Sequence, residues 1–161
     1  MIDGAELADA FARNIRVIKM QTAGLTHADS LLQPTARGNC LNWVLGHLLN
    51  NRNRVLQALG EEPVVAEAEM AHYLTDSEPV TGDEQGVWAL ERLLDALGRA
   101  QERIAGVLHR ATPAELAKEI EIGERKMTVG QRVFFFYFHE TYHVGQTELL
   151  RQLAGTDDKV I

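Results

Sequence analysis

The stretch TVGQRVFFFYFHETYHVGQTELLRQLAG, residues 128–155, predicts a long helix that decides the fold of this chain. Thr128 followed three residues later by Gln131 is a capping-box pattern, which marks a helix start. Gly155 is the residue type that commonly follows a helix end. A helix of this length needs other helices packed along it, so the rest of the sequence must supply them.

Three further stretches repeat apolar residues at helical spacing, near residues 3–25, 39–60 and 84–110. Asn39 is the expected N-cap of the second stretch, and Gly60 is its expected end. Four long amphipathic helices in 161 residues predict an all-α four-helix bundle. We expect one domain over residues 1–161, with the helices packed in an antiparallel-type arrangement.

Two connections between the predicted helices carry information. Residues 61–83 contain Pro63 and Pro79 and show no sustained period, so they predict a long crossover between the second and third helices. That length leaves the order of the helices in the bundle open. The segment KEIEIGERKMT, residues 118–128, alternates isoleucine with charged residues around Gly123, which indicates a small β-hairpin before the last helix.

The composition argues against several classes of protein. A net charge of −7 does not favour binding to a nucleic-acid backbone, which requires clustered lysine and arginine. The longest apolar run, Val133–Phe138, is far shorter than the roughly 20 residues of a membrane span. A single cysteine, Cys40, and a start without a secretory pattern favour a cytoplasmic protein. At the start of a helix, Cys40 is expected to be a small buried side chain rather than a nucleophile.

His139 and His143 form the His-Glu-x-x-His pattern of many zinc proteases. Four residues apart on a helix, they share one face with Cβ atoms about 5–6 Å apart, close enough for one zinc ion to bridge. Helical angles place them on a stripe with Phe136 and Leu150, which we expect to be the buried face. Two histidines on such a face need either a metal or hydrogen-bond partners in the core, and both alternatives remain open.

A metal site needs at least a third ligand. His27, His72 and His109 lie in loop-like stretches or at a helix end, where a solvated histidine is the simpler interpretation. His47 differs because it lies within a helix, on a stripe with Trp43 that borders an interhelical groove. The adjacent Gly46 would let another element approach closely.

The protease interpretation fails on its context. Peptidases with this motif hold their substrate against the edge of a sheet, and no sheet of any size is readable in this sequence. They also take a third ligand downstream, whereas the fourth helix is expected to end at Gly155 with no later helix. The longer metzincin pattern would require glycine at Gln146 and histidine at Leu149, and neither is present.

Two stretches resemble the motifs of the DinB/YfiT-like family, whose members are proposed to be metal-dependent enzymes. NWVLGHLL, residues 42–49, is similar to the family's Asn-x-x-x-Trp-Leu-Gly-His segment, matched here from Asn39 or Asn42 through His47. HETYHVGQ, residues 139–146, looks like the family's His-x-x-x-His-x-Gly-Gln. The number of helices and the long second crossover also agree, so the resemblance covers nearly the whole chain.

The resemblance implies a four-helix bundle with one divalent metal, zinc or nickel, on His47, His139 and His143. It also implies a thiol S-transferase or a small-molecule hydrolase, which acts on a small-molecule substrate with a low-molecular-weight thiol as one candidate. The alternative is a non-catalytic bundle that binds a metal or a small ligand. Glu140 is either a general base or a surface carboxylate. No nucleic acid and no membrane is expected as a partner, and a homodimer is left open.

Overall fold

The computed structural model describes residues 3–156 and 158. Its elements follow the chain in this order: α1 (Gly4–Thr22), α2 (His27–Ser30), α3 (Leu41–Ala58), a 3₁₀ helix (Glu67–Tyr73), α4 (Leu90–Leu108), α5 (Pro113–Leu116), β1 (Glu119–Ile122), β2 (Arg125–Thr128) and α6 (Val129–Gln152). The four long helices α1, α3, α4 and α6 form the bundle. The all-α fold and the small antiparallel hairpin before the last helix are therefore confirmed.

The packing of the four long helices gives their order and direction. Both α1 and α3 contact α4 and α6. One apolar cluster joins the starts of α1 and α6 to the ends of α3 and α4, with Leu7, Val133, Leu56 and Leu108 among its members. A second cluster joins the opposite ends, with Ile18, Leu150, Leu45 and Leu93 among its members. Hence α1 and α6 run in one direction, and α3 and α4 run in the other.

The antiparallel-type packing expected from the sequence is correct for α1 with α4 and for α3 with α6. The other two neighbouring pairs, α3 with α4 and α1 with α6, are parallel, and the sequence had left the arrangement of α3 with α4 open. The reason is the connection over residues 59–89, which must return along the bundle before α4 begins. Its 3₁₀ helix packs against α3 on the way.

The boundaries of the helices differ from the expected ones where the chain needs a local turn. Instead of starting near residue 84, α4 starts at Leu90, because Gly86 has a φ of 94° and cannot belong to a right-handed helix. Similarly, α1 ends at Thr22, and Thr26 opens the separate helix α2 with its own capping box. Asn39 is not the N-cap of α3, because Cys40 occupies that position without a side-chain cap bond.

The capping box expected at the start of the last helix is confirmed. The Thr128 hydroxyl accepts a hydrogen bond from the backbone N–H of Gln131 at 3.1 Å. The Gln131 side chain in turn accepts from the backbone N–H of Thr128 at 2.8 Å. These bonds satisfy two donors that a helix start leaves without partners, so they fix where α6 begins.

The sequence predicted a chain without a membrane span that forms a single domain. Within the described residues, every helix is too short or too polar to cross a membrane. The expected domain span of residues 1–161 also includes residues 1, 2, 157 and 159–161, which lie outside the described part.

A buried arginine connects all four long helices. Arg52 on α3 is 0% exposed, and its guanidinium donates to both carboxylate oxygens of Glu140 on α6, at 2.7 and 2.8 Å. It also donates to Gln101 on α4 at 2.8 Å and to the backbone carbonyl of Phe11 on α1 at 3.3 Å. An ion pair in a core is costly to desolvate, but this one has hydrogen bonds to satisfy its donors.

We expect Glu140→Gln to destabilise the protein strongly, because it leaves the Arg52 charge buried without a counterion. Breaking a buried pair in this way costs about 3–5 kcal/mol of unfolding free energy. Chemical denaturation measures the change. The matched control is Glu148→Gln on the exposed side of the same helix, which should stay close to the parent. A Glu140→Gln variant as stable as this control would contradict the role of the pair.

A second contact fixes the 3₁₀ helix against α3. A Cβ atom added to Gly46 would overlap the ring of Tyr73, so the glycine allows the close approach expected from the sequence. The Tyr73 hydroxyl donates to the Asn42 side chain at 3.1 Å and accepts from the Trp88 backbone N–H at 2.7 Å. The Asn42 amide donates to the Trp88 carbonyl at 2.9 Å. This network holds the crossover and the approach to α4 on one surface of α3.

We therefore expect Gly46→Ala to lower the unfolding free energy, by about 1–3 kcal/mol for an overpacked core. The control is Gly98→Ala on α4, where an added Cβ would meet no atom within 4 Å. That variant should be neutral or up to about 1 kcal/mol more stable, because alanine favours a helix over glycine. Equal stability of the two variants would show that Tyr73 can move aside without cost.

Candidate metal centre

Three histidines meet at one point between α3 and α6. His47 on α3 is 3% exposed, whereas His139 and His143 on α6 are half-buried. One ring nitrogen from each lies within 4.8 Å of those of the other two. The ring centroids are 4.6 Å apart for His139 and His143, and each lies 5.2 Å from the His47 ring. Zn–N bonds are about 2.0–2.1 Å, so small side-chain movements would bring all three nitrogens onto one ion.

Hydrogen bonds to Nδ1 fix the orientation of two of the rings, those of His47 and His143. His47 Nδ1 lies 2.9 Å from the Tyr73 carbonyl, so it donates there and leaves Nε2 as the free acceptor. His143 Nδ1 lies 2.7 Å from the Gln146 side-chain oxygen, which selects the same tautomer. A partner that accepts from one ring nitrogen while the other binds an ion is typical of metal-binding histidines.

The third ring, that of His139, has a side-chain amide next to its Nδ1. The Asn51 side-chain amide lies 3.3 Å from His139 Nδ1. The two ends of an amide differ only by rotation about its last bond, so its orientation follows from the network that it joins. With the Asn51 oxygen turned toward His139, all three histidines would present Nε2 to the same point.

The electrostatics of the cluster keep the rings neutral. Burial lowers the pKa of His47 to about 4, against the opposing effect of its bond to the Tyr73 carbonyl. Burial also lowers the pKa of His139 and of His143. At neutral pH the three rings are therefore neutral, each with one protonated nitrogen and one nitrogen that carries a lone pair, which is the form that binds a metal.

Aromatic side chains surround the cluster. The Trp43 ring stacks on His47 with centroids 4.7 Å apart, and its indole N–H donates to the Ser77 hydroxyl at 3.0 Å. On the other side, the Tyr142 ring lies 5.4 Å from His143. Tyr142 belongs to an exposed apolar stripe along α6, made of Phe135, Phe138, Tyr142 and Leu149. The open side of the cluster is therefore bordered by apolar surface.

The buried face of α6 is not the expected stripe. Phe136 and Leu150 are buried as expected, but His139, His143 and Gln146 are only half-buried and lie at its edge. The face is completed by three buried polar or charged residues beside this stripe: Glu140, Thr147 and Arg151. These residues can be buried because each finds a polar partner.

Of the two interpretations of Glu140, the surface carboxylate is wrong. Its side chain is 1% exposed and is engaged by Arg52 in the core. The two residues are 88 positions apart, so no local pattern links them. The available signal was Arg52 itself, a charged residue in an otherwise buried segment of α3.

The remaining histidines and the cysteine lie outside the cluster. His27 pairs with Asp83 at 3.4 Å, and His72 lies 3.0 Å from the Gln85 carbonyl. His109 is exposed at the end of α4. Cys40 is fully buried, its thiol donates to the Val80 carbonyl at 3.4 Å, and burial raises its pKa. The expectation that Cys40 is a small buried side chain is confirmed.

Comparisons with known proteins agree with this architecture. A crystal structure of a conserved protein from Enterococcus faecalis superposes with a TM-score of 0.74, at 16% identity, over 97% of this chain and 100% of that one. This similarity concerns the fold alone. No curated protein matches the chain. The family model of the DinB superfamily matches residues 10–147, a span that includes all three clustered histidines. The chain therefore belongs to the DinB superfamily.

Proposed function

We propose that this protein is a metal-dependent enzyme that holds one divalent ion on His47, His139 and His143. The observation that carries the proposal is the convergence of three neutral imidazoles, one from α3 and two from α6. Imidazole suits zinc and nickel among the divalent metals. In the described part of the chain, no cysteine, aspartate or glutamate joins the cluster as a fourth ligand.

Three protein ligands with an open fourth position are typical of catalytic sites, whereas structural zinc sites are closed by four. This difference favours an enzyme over the alternative, a bundle that binds a metal without catalysis. A divalent ion held by these residues would supply a Lewis acid, which lowers the pKa of a thiol or a water at the open position.

The residues around the cluster favour thiol transfer over hydrolysis. Glu140 is committed to Arg52, so it is not available to take or give a proton at the cluster. Hydrolysis with a poor leaving group depends on such a positioned acid or base. A thiol, with an ordinary pKa of about 8.5, has much less need of a base. We therefore infer that the substrate pair is a low-molecular-weight thiol and a small electrophile, in line with the family resemblance.

The first test is the metal content of six variants purified under identical conditions. His139→Ala and His143→Ala should lose stoichiometric metal, and His47→Ala should weaken its retention strongly. The controls are the three histidines outside the cluster, since His27→Ala, His72→Ala and His109→Ala should keep the parental content. Elemental analysis measures the result. Full metal in the His47 variant, or loss in a control variant, would show that the ligand set is a different one.

The second test is activity. We expect the metal-loaded protein to accelerate the reaction of an electrophile with one of bacillithiol, mycothiol, glutathione or cysteine, and to lose this activity with a chelator. The His143→Ala variant is the matched negative control. The same preparations should leave unfolded casein intact, because the described residues offer only a two-stranded hairpin to hold a peptide. Chelator-sensitive casein cleavage, or no acceleration with any thiol, would count against the proposal.

A further inference from the structure

Two arginines stand at matching positions relative to the histidine cluster. Arg54 follows His47 by seven residues on α3, and Arg132 precedes His139 by seven residues on α6. A seven-residue step is about two helical turns, or about 10 Å, and returns to the same face of the helix. Because α3 and α6 run antiparallel, both steps lead in the same direction along the groove that the helices share. The two arginines thus face one another about two turns from the cluster.

The two side chains line one groove of about 400 Å³. Its other lining residues are uncharged, and two of them, Ile120 and Ile122, come from the β-hairpin. No acidic residue lines this groove, although the chain has a net charge of −7. In the part of the chain that the structure describes, neither Arg54 nor Arg132 has a carboxylate within ion-pair distance.

The arginine on α6 is held in place by aromatic rings. Its guanidinium lies 4.3 Å from the centroid of the Phe136 ring and 5.7 Å from that of Phe135. Burial lowers the pKa of Arg132, and the nearby charge of Arg54 lowers it further. Two positive charges are therefore kept close together in a partly apolar groove, where an anion between them would relieve their repulsion.

We propose that Arg54 and Arg132 bind a carboxylate of the substrate whose reacting end lies at the histidine cluster. This inference rests on the proposed function and narrows its substrate class to carboxylate-bearing thiols, with the carboxylate about 10 Å from the sulfur. Guanidinium groups match the two oxygens of a carboxylate in planar, paired hydrogen bonds.

The test uses the cobalt-loaded protein and a matched pair of probes. The first is the mercaptooctanoate with its thiol at the end of the chain farthest from the carboxylate, and the second is its neutral amide. Calorimetry measures affinity, and the cobalt spectrum reports whether the sulfur reaches the ion. We expect the acid to bind at least about tenfold more tightly than the amide, the scale of one charged hydrogen bond. Arg54→Gln and Arg132→Gln should each remove most of this preference, with a much smaller change in the affinity for the amide and with the parental cobalt content.

The matched control is Arg99→Gln, because Arg99 lines the groove between α1 and α4 on the opposite side of the bundle. It should keep the full preference for the acid. Equal affinity of the parent protein for acid and amide, with the sulfur on cobalt in both, would overturn the carboxylate site and leave the metal site standing. Absence of cobalt or of any thiol signal would overturn the proposed function and this inference together. If inorganic phosphate competes with the probe more strongly than acetate does, the two arginines bind a phosphate group rather than a carboxylate, and the proposal is overturned.

Discussion

The buried charge of Arg52 is the constraint on which the rest of the structure depends. A guanidinium without water must satisfy its donors within the protein, and here each of the other three long helices supplies an acceptor. The paired hydrogen bonds to the Glu140 carboxylate are directional, so they constrain the register of the two helices in addition to the packing of apolar side chains. The ion pair with Glu140 therefore sets α3 against α6, and this alignment brings His47 opposite the two histidines of α6.

The crossover that returns along the bundle has become part of the site. Its carbonyl at Tyr73 orients His47, and its hydroxyl at Ser77 holds the indole that stacks on the same ring. The histidine on α3 is thus fixed on several sides, whereas the pair on α6 lies closer to solvent. In this cluster His47 is therefore the closely held histidine, and His139 and His143 have more freedom to adjust to an ion at the proposed metal site.

Short sequence patterns predicted those features of the fold that depend on residues close together in the chain. The start of α6 followed from Thr128 and Gln131, because a capping box lies within four residues. The clustered histidines followed from short motifs and a family resemblance. The role of Glu140 could not be predicted in this way, since burial of a carboxylate depends on Arg52, far away in sequence. The start of α4 was also misplaced, because it depends on a turn at Gly86 and on contacts with Tyr73.

The pairing of α1 with α6 has a consequence for how the chain folds during synthesis. The Asn14 side chain donates to the Thr141 hydroxyl across a separation of 127 residues, and Arg52 pairs with the Glu140 carboxylate 88 residues later in the chain. Contacts between such distant segments carry a loop-closure cost that contacts within one helix do not, so they form after the local ones. Until α6 leaves the ribosome, the nascent helices expose a charged core without its counterion. The bundle therefore closes late, and the helix that brings two of the three clustered histidines is also the one that completes the fold.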